Sequence, residues 1–117
     1  MDVQTEQRRF LRKKVKAQVV FKIKGAANED YKTYISDNLS EHGLFLKTSD
    51  AYPIDTKVEL LFSLANNPKL LKIDGEVKWI KTPQEETTAH PAGIGVEFTT
   101  MRAEDRKIIK HFLDSSL

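Results

Sequence analysis

The feature that most constrains the fold of this chain is a repeated alternation of apolar and polar residues in short runs. The clearest run has one face made of Leu71, Ile73, Gly75, Val77 and Trp79, and an opposite face made of Lys72, Asp74, Glu76 and Lys78. Successive side chains of a strand point to opposite sides, so a period of two predicts a half-buried β-strand with Trp79 on its inner face. Gly75, in the middle of the run, predicts a bulge or the sharp bend that a barrel needs at its corners.

Five more strands are predicted along the chain, at 15–23, 31–36, 44–48, 58–64 and 93–98. The runs 15–23 and 93–98 share the alternation, and 31–36 is rich in the aromatic and β-branched residues that favour strands. The segments between them are rich in Gly, Pro, Asn and Asp, which favour turns, and the segment 37–43 is one of these predicted turns. Six short strands separated by turns are typical of a small antiparallel β-barrel.

The C-terminal segment changes its period. Ile108, Ile109, Phe112 and Leu113 form an apolar stripe at helical spacing. We expect a helix over about 101–114 that packs on the barrel. The predicted fold is therefore all-β with a C-terminal helix, in the form of a six-stranded antiparallel barrel.

Length and composition limit the classes of protein to which the chain can belong. The 117 residues correspond to about one domain. With no cysteine, the chain has neither disulfides nor thiolate metal sites. The first residues lack the apolar core of a signal peptide, and no apolar run approaches the ~18 residues of a membrane span. We therefore expect a cytoplasmic protein without a membrane span.

Charge is distributed unevenly along the chain. Residues 1–24 hold eight basic and two acidic residues, whereas the remainder holds 11 basic and 15 acidic ones. A positive segment on an acidic body attracts anions such as nucleic acids, nucleotide phosphates or membrane headgroups. Charge alone also fits a solvated basic arm without a partner.

Motifs for catalysis are missing from the sequence. His42, His90 and His111 do not have the spacing of metal ligands, and there is no nucleophile elbow, phosphate loop or carboxylate pair. Gly93-Ile94-Gly95 matches part of a dinucleotide fingerprint but lacks the third glycine. We expect a protein that is not an enzyme and needs neither metal nor cofactor.

The basic arm has an arginine pattern suited to an anionic ligand. In a helix, Arg8 and Arg12 would be like charges at i and i+4, which disfavours that helix by roughly 0.2–0.5 kcal/mol. We therefore expect residues 1–14 to form a flexible arm ahead of a single barrel domain at 15–117. Arginine pairs bidentately with phosphate and with guanine O6 and N7, and it stacks on bases.

The predicted turn at 37–43 carries a second polar pattern. Asn38 and Ser40 can donate and accept hydrogen bonds close to the backbone, and Gly43 permits a positive φ or the close approach of a ligand. A purely structural interpretation is a turn stabilised by Asn and Ser, in which the glycine makes the corner.

Together the two patterns resemble the PilZ domain family, whose members carry Arg-x-x-x-Arg before the first strand and Asp/Asn-x-Ser-x-x-Gly about one hairpin later. Arg8 to Arg12 match the first motif, and Asn38 to Gly43 match the second. The resemblance continues through Gly43-Leu44-Phe45-Leu46, Gly75-Glu76-Val77-Lys78-Trp79 and Gly93-Ile94-Gly95-Val96-Glu97-Phe98. It implies a PilZ-like barrel that binds cyclic di-GMP, a bacterial second messenger.

The resemblance also implies which residues bind the nucleotide. Arg8 and Arg12 would be the main clamp, with Arg9 as an auxiliary. The barrel side of the pocket would be formed by Asn38, Ser40 and Gly43, with Asp37 and His42 as further candidates. Many family members have Gly-Gly where this chain has His42-Gly43, and a side chain at His42 would narrow the pocket or stack on the ligand.

These expectations define a receptor in which the ligand orders the arm against the barrel and changes a surface for a protein partner of unknown identity. One alternative is a PilZ-like interaction adaptor that binds no nucleotide. Another is a small-barrel binder of single-stranded nucleic acid. That second alternative is less favoured because few aromatic residues are interleaved with the charge.

Overall fold

The computed structural model describes residues 13–26, 30–88 and 91–115, and within them the strands close into a ring. The strands are β1 (Lys13–Lys14), β2 (Gln18–Ile23), β3 (Tyr31–Leu39), β4 (Gly43–Lys47), β5 (Lys57–Leu64), β6 (Asn67–Lys81) and β7 (Gly93–Thr100). A 3-10 helix spans Pro83–Glu85, and the helix α1 spans Ala103–Ser115.

The barrel ring runs β3-β2-β5-β6-β7-β4 and closes through pairing of β3 with β4, with every pair antiparallel. This confirms the predicted six-stranded barrel with a C-terminal helix. Closure leaves no long unpaired edge in the ring, which protects such a sheet from aggregation. The inward residues and two from α1 form the core: Val19, Phe21, Leu39, Leu44, Leu46, Val58, Leu60, Phe62, Leu64, Leu71, Ile73, Val77, Ile94, Val96, Ile109 and Leu113.

The strand β1 lies on the same edge of β3 as β2. Lys13 and Lys14, which we expected in the arm, pair with Leu39 and Asn38. The gap between β1 and β2 is bridged by Ser36, which is 2% exposed. Its hydroxyl accepts a hydrogen bond from the Ala17 amide at 2.9 Å and donates to the Val15 carbonyl. The barrel pairing therefore continues to Lys13.

Four register shifts interrupt the strand pairing within residues 13–26, 30–88 and 91–115. Three of them insert one extra residue, which is Asp37 in β3, Lys78 in β6 and Thr99 in β7, the last opposite the Asp74–Gly75 step. The fourth lies between Phe62 and Leu64 of β5. The bulge predicted from Gly75 is therefore confirmed, although the inserted residue belongs to the neighbouring strand. A bulge adds one residue to one side of a pair, so the strand bends and the following side chains change face.

Two sequence-based predictions are corrected by these bulges. The segment 37–43 is not one long turn, because β3 continues to Leu39 through the Asp37 bulge and β4 begins at Gly43. Trp79 does not face the core. The Lys78 bulge turns it outward, and it is 46% exposed.

Candidate ligand-binding site

One row of paired residues crosses five strands on the outer face of the barrel. Lys14 pairs with Asn38, Asn38 with Phe45, Phe45 with Gly95, and Gly95 with Trp79. We call this the cross-strand row. Because directly paired residues project from the same face of a sheet, the row aligns the root of the arm with Asn38 and with Trp79.

Two aromatic rings form the floor of this face. The rings of Phe45 and Trp79 stack with centroids 5.0 Å apart and planes 24° apart. Gly95 lies between them in the row, and a Cβ atom there would be 2.1 Å from Trp79 Nε1. At Gly93, a Cβ would be 2.6 Å from Phe45 Cζ. Gly95 therefore leaves space for the Trp79 ring, whereas Gly93 leaves space for both the Phe45 ring and the Leu46 carbonyl oxygen of β4, which would lie 2.0 Å from a Cβ atom.

The turn of the second motif is shorter than expected and internally bonded. The Ser40 amide donates to the Gly43 carbonyl at 2.9 Å, and the Ser40 hydroxyl accepts from the His42 amide at 3.2 Å. Ser40 is 2% exposed. Its hydroxyl therefore stabilises the corner between β3 and β4, which is the structural interpretation of this residue.

Gly43 is required by the neighbouring strand. It has no positive φ, and a Cβ at this position would lie 2.3 Å from the Val96 carbonyl oxygen of β7. No larger residue fits without separating β4 from β7. His42 stands beside it with an exposed side chain, and its carbonyl accepts from the Phe98 amide at 2.8 Å.

Two shallow cavities flank the Trp79 ring. The larger, about 210 Å³, is lined by residues that include Ser40, His42, Gly43, Lys78 and Trp79. The smaller, about 60 Å³, is lined by Asp37, Asn38, Phe45, Trp79, Lys81 and Pro91. Both are below the ~300–1,000 Å³ of pockets that enclose a small molecule. The barrel by itself therefore offers an open face rather than a closed pocket.

Ion pairs fix several charges around this face. Lys78 contacts Asp55 and Glu76, each at 3.0 Å, and these hydrogen bonds raise the pKa of Lys78. Lys14 lies 3.9 Å from Asp37. By contrast, the ammonium nitrogen of Lys13 is buried and has no hydrogen-bond partner among the residues described. An uncompensated buried ammonium favours an anion nearby.

The predicted site residues divide into two groups. The structure brings Asp37, Asn38, Ser40, His42 and Gly43 together at one end of β3 and β4. Arg8, Arg9 and Arg12 lie outside the described residues. Sequence reasoning missed Trp79, Phe45 and Lys81 as neighbours of this face. The signal was the pair of glycines in β7, which leave room for large rings on the adjacent strands.

Residues 13–26, 30–88 and 91–115 contain neither a cluster for metal binding nor a helix for membrane insertion. No cluster of three or more His, Cys, Asp or Glu side chains there is arranged to hold a metal ion. No helix in that part of the chain is long and apolar enough to cross a membrane.

Known proteins resemble this chain in fold and in family pattern. The PilZ domain family model matches residues 6–115. No curated protein matches the chain. The chain is similar in structure to the Bacillus subtilis inhibitor of motility, MotI/DgrA, with a TM-score of 0.73 and 13% identity over 94% of this chain. It spans about half of that protein, 51% of its length.

Two single PilZ domains are also similar in structure. The PilZ domain of YcgR from Escherichia coli, solved with c-di-GMP, has a TM-score of 0.65 and 12% identity over 93% of this chain and 90% of its own. The PilZ domain of CeSA from a cellulose-synthesizing bacterium has a TM-score of 0.61 and 14% identity over 90% of this chain and 96% of its own. With 12% to 14% sequence identity, the similarity of these three structures to this chain shows a shared fold.

Proposed function

The chain belongs to the PilZ domain family, and on that premise we propose that it is a receptor for cyclic di-GMP that passes the signal to a protein partner. Residues 1–14 form the basic arm, whose last two residues already pair with β3 as β1, and residues 15–117 form the barrel against which the ligand holds the rest of that arm. A bacterial, cytoplasmic setting is part of the proposal, because cyclic di-GMP is a bacterial second messenger.

The observation that supports the proposal most strongly is the cross-strand row. Lys13 and Lys14 are paired with the residues Leu39 and Asn38 of the second motif. Arg12 directly precedes Lys13 in the chain. Arg8 lies five residues before Lys13, and five residues span at most about 18 Å in a fully extended chain. Both arginines of the first motif can therefore reach the face that carries Asn38 and Trp79.

The arm supplies cations with defined geometry. Arg8 and Arg12 clamp the guanine edges and phosphates, and Arg9 assists, because a guanidinium pairs bidentately with both groups. Lys13 and Lys81 add positive charge next to them. The ammonium of Lys13 is buried without a hydrogen-bond partner in the described part of the chain, so a phosphate oxygen would compensate it.

The barrel supplies a polar edge and a flat surface. The Asn38 amide donates to and accepts from a guanine edge, while the exposed Trp79 ring offers a surface for stacking. Asp37 and His42 border the same face. Ser40 and Gly43 act by holding the corner between β3 and β4 in shape, with smaller direct contact.

The two cavities that flank Trp79 are too small to enclose a dinucleotide, which supports a binding site completed by a second segment of the chain. Binding then fixes the arm against β3 and changes the surface that a protein partner contacts. A group of charge-assisted hydrogen bonds, each worth roughly 1.5–3 kcal/mol, would compensate the ordering of the arm.

Titration calorimetry with cyclic di-GMP tests the proposal. We expect heat of binding at micromolar protein, and at least about tenfold weaker binding for Arg8→Ala and for Arg12→Ala, since 1.4 kcal/mol is one decade. Arg106→Ala, which removes the same charge from the exposed side of α1, is the matched control and should bind as the wild type does.

The absence of heat with the wild-type protein would favour the adaptor that binds no nucleotide. Equal affinities for wild type, Arg8→Ala and Arg12→Ala would reject the arginine clamp. A steep salt dependence of binding to single-stranded oligonucleotides, with no response to cyclic di-GMP, would favour the nucleic-acid alternative.

A further inference from the structure

A second exposed face lies across the barrel from the cross-strand row. In the ring, β2 and β5 are on the side opposite β4 and β7. Two cavities of about 510 and 470 Å³ open there, and both are lined by Val20 and Leu61. These two residues are directly paired and point outward, so the two cavities form one continuous depression, which we call the β2–β5 groove.

Apolar side chains lie at the middle and at both ends of the β2–β5 groove, with polar side chains between them. Val20 and Leu61 form its middle, and Tyr31 stands at one end with 57% of its surface exposed. At the other end Leu70 is 58% exposed and lines the same cavity as Phe112 of α1. Contiguous exposed apolar surface of this kind marks interaction sites on soluble proteins.

Two lysines that line the groove differ from the lysines just beyond its end. Lys24, directly after β2, pairs with Asp74, and Lys57 of β5 pairs with Glu76. Lys16 and Lys72 line the groove, and within the described part of the chain neither forms an ion pair. Glu59 is the acidic residue of the lining.

We propose that the β2–β5 groove binds an acidic amphipathic helix of a partner protein. Apolar side chains on one face of such a helix would cover Val20, Leu61 and Leu70, and flanking carboxylates would pair with Lys16 and Lys72. A helix laid into a hydrophobic groove is a recurring mode of recognition, and complementary charge fixes its orientation. Charge disfavours the basic arm of this chain as occupant, because its arginines would meet these two lysines.

This inference names the class of partner for the proposed receptor, but it does not require nucleotide binding. The two claims are distinguishable because the peptide titration below contains no cyclic di-GMP. Failure of peptide binding would leave the calorimetric result with the nucleotide unchanged, and failure of nucleotide binding would leave the groove unaffected.

The probe is a synthetic helix of about 18 residues, long enough to be helical, with leucines on one face and glutamates on the other. A second peptide with lysine in place of every glutamate is the control. Both are titrated into the full chain and followed by amide NMR. We expect the acidic peptide to shift the signals of Val20, Leu61 and Phe112, and to bind at least about tenfold tighter than the basic one.

Two kinds of variant test the contacts. Leu61→Glu should weaken binding of the acidic peptide by at least about tenfold, because it introduces a charge into the apolar contact. Ile54→Glu is the matched control at another exposed apolar residue and should bind normally. The double variant Lys16→Glu/Lys72→Glu should bind the basic peptide more tightly than the acidic one. Its amide spectrum without peptide should match that of the wild type, which shows that the variant still folds.

Three results would overturn the proposal. The first is no binding of the acidic peptide, or equal binding to the wild type and Leu61→Glu. The second is a wild-type dimer that Leu61→Glu dissociates, which would make a second copy of the chain the occupant. The third is binding only after deletion of residues 1–12, which would make the arm the occupant.

Discussion

At the residue scale, Gly95 determines whether the aromatic floor exists. Its missing side chain lets the rings of Phe45 and Trp79 meet across β7. Any Cβ there would overlap Trp79 Nε1, and the backbone of a central strand cannot move aside. The ring would have to leave the face of the barrel.

We therefore predict that Gly95→Ala displaces Trp79 and destabilises the fold by about 1–3 kcal/mol, as overpacking does. Trp79 is the single tryptophan, so its emission spectrum reports its surroundings directly. We expect a shift of that emission together with a lower melting temperature. Thr99→Ala, at an exposed position of the same strand, is the control. An unchanged emission spectrum in Gly95→Ala would contradict this account.

Trp79 itself provides a separate prediction about the ligand. Stacking of a base on an aromatic ring contributes roughly 1–3 kcal/mol, so Trp79→Ala should weaken cyclic di-GMP binding by about tenfold or more. Trp79→Phe keeps a flat ring and should retain most of the affinity. If both variants bind equally weakly or equally well, the ring does not act as a stacking surface.

At the element scale, α1 is anchored by a buried carboxylate. Asp105 is fully buried near the start of the helix, and Lys69 of β6 contacts it at 3.0 Å. Lys69 also pairs with Glu104. Arg102 lies 3.5 Å from Asp105. These contacts attach the first turn of the helix to the hairpin of β5 and β6.

Removal of Lys69 should leave that buried charge poorly compensated. We predict that Lys69→Ala lowers the free energy of unfolding, because the fully buried Asp105 carboxylate loses the cation that contacts it at 3.0 Å. Denaturant unfolding measures it. The double variant Lys69→Ala/Asp105→Asn should recover part of the loss, because the uncompensated charge is gone. Purely additive losses would show that the two residues do not interact.

The loop after β4 is held to β3 by a second anchor. The Tyr34 hydroxyl donates to the Asp50 carboxylate and lies 2.5 Å from the Tyr52 hydroxyl. Hydrogen bonding by Tyr34, followed by the charge of Lys32, lowers the pKa of Asp50. Burial, followed by the bond to Asp50, raises the pKa of Tyr34.

The lowered pKa of Asp50 predicts a pH dependence of stability. Below the pKa of the unfolded carboxyl, near 3.9, the unfolded chain binds more protons than the folded one, so stability falls as pH falls. Melting temperatures between about pH 2 and 5 should decline less steeply for Asp50→Asn than for the wild type. Asp114→Asn, on the exposed side of α1, is the control. Parallel curves for wild type and Asp50→Asn would remove Asp50 from the explanation.

The existence and type of the elements could be predicted from the sequence, but the bulges could not. Period-two alternation marks Leu71 to Val77 because each of these residues keeps its face. It fails at Trp79 because the Lys78 bulge is defined by pairing with β7, a strand distant in sequence. The Asp37 bulge likewise made a continuous strand look like a turn, since Asp and Asn favour turns locally.

The candidate site, like the fold, could be predicted from the sequence only in part. The motif residues Asn38 to Gly43 were found because they are close in sequence. Trp79, Phe45 and Lys81 reach the same face only through the pairing of β6, β7 and β4, and no local pattern records that pairing. The local roles of Ser40 and Gly43 depend on contacts with His42 and Val96 that the sequence does not reveal.

At the scale of the whole molecule, the barrel presents two opposite faces joined by one short segment. Lys13 and Lys14 pair with the motif strand, while Val15, Lys16 and Ala17 line the β2–β5 groove. Ser36 bonds to both Val15 and Ala17. A ligand that fixes the arm therefore acts on a segment that also borders the partner groove.

Because the segment from Lys13 to Ala17 borders both faces, we expect binding at one face to affect binding at the other. We predict that cyclic di-GMP shifts the amide signals of Val15 to Ala17 and changes the affinity for the acidic helix peptide, with Ser36→Ala reducing that change. The peptide titration repeated with and without nucleotide measures it. Identical affinities in both conditions would mean that the two faces act independently.

The most direct test of the central claim is an amide NMR titration of the full chain with cyclic di-GMP. If one site is formed by arm and barrel together, the signals of Arg8 to Arg12, Asn38 and the Trp79 indole shift along curves with a single dissociation constant. Shifts confined to the arm, or no shifts at saturating ligand, would contradict a site shared between the arginine motif and the barrel.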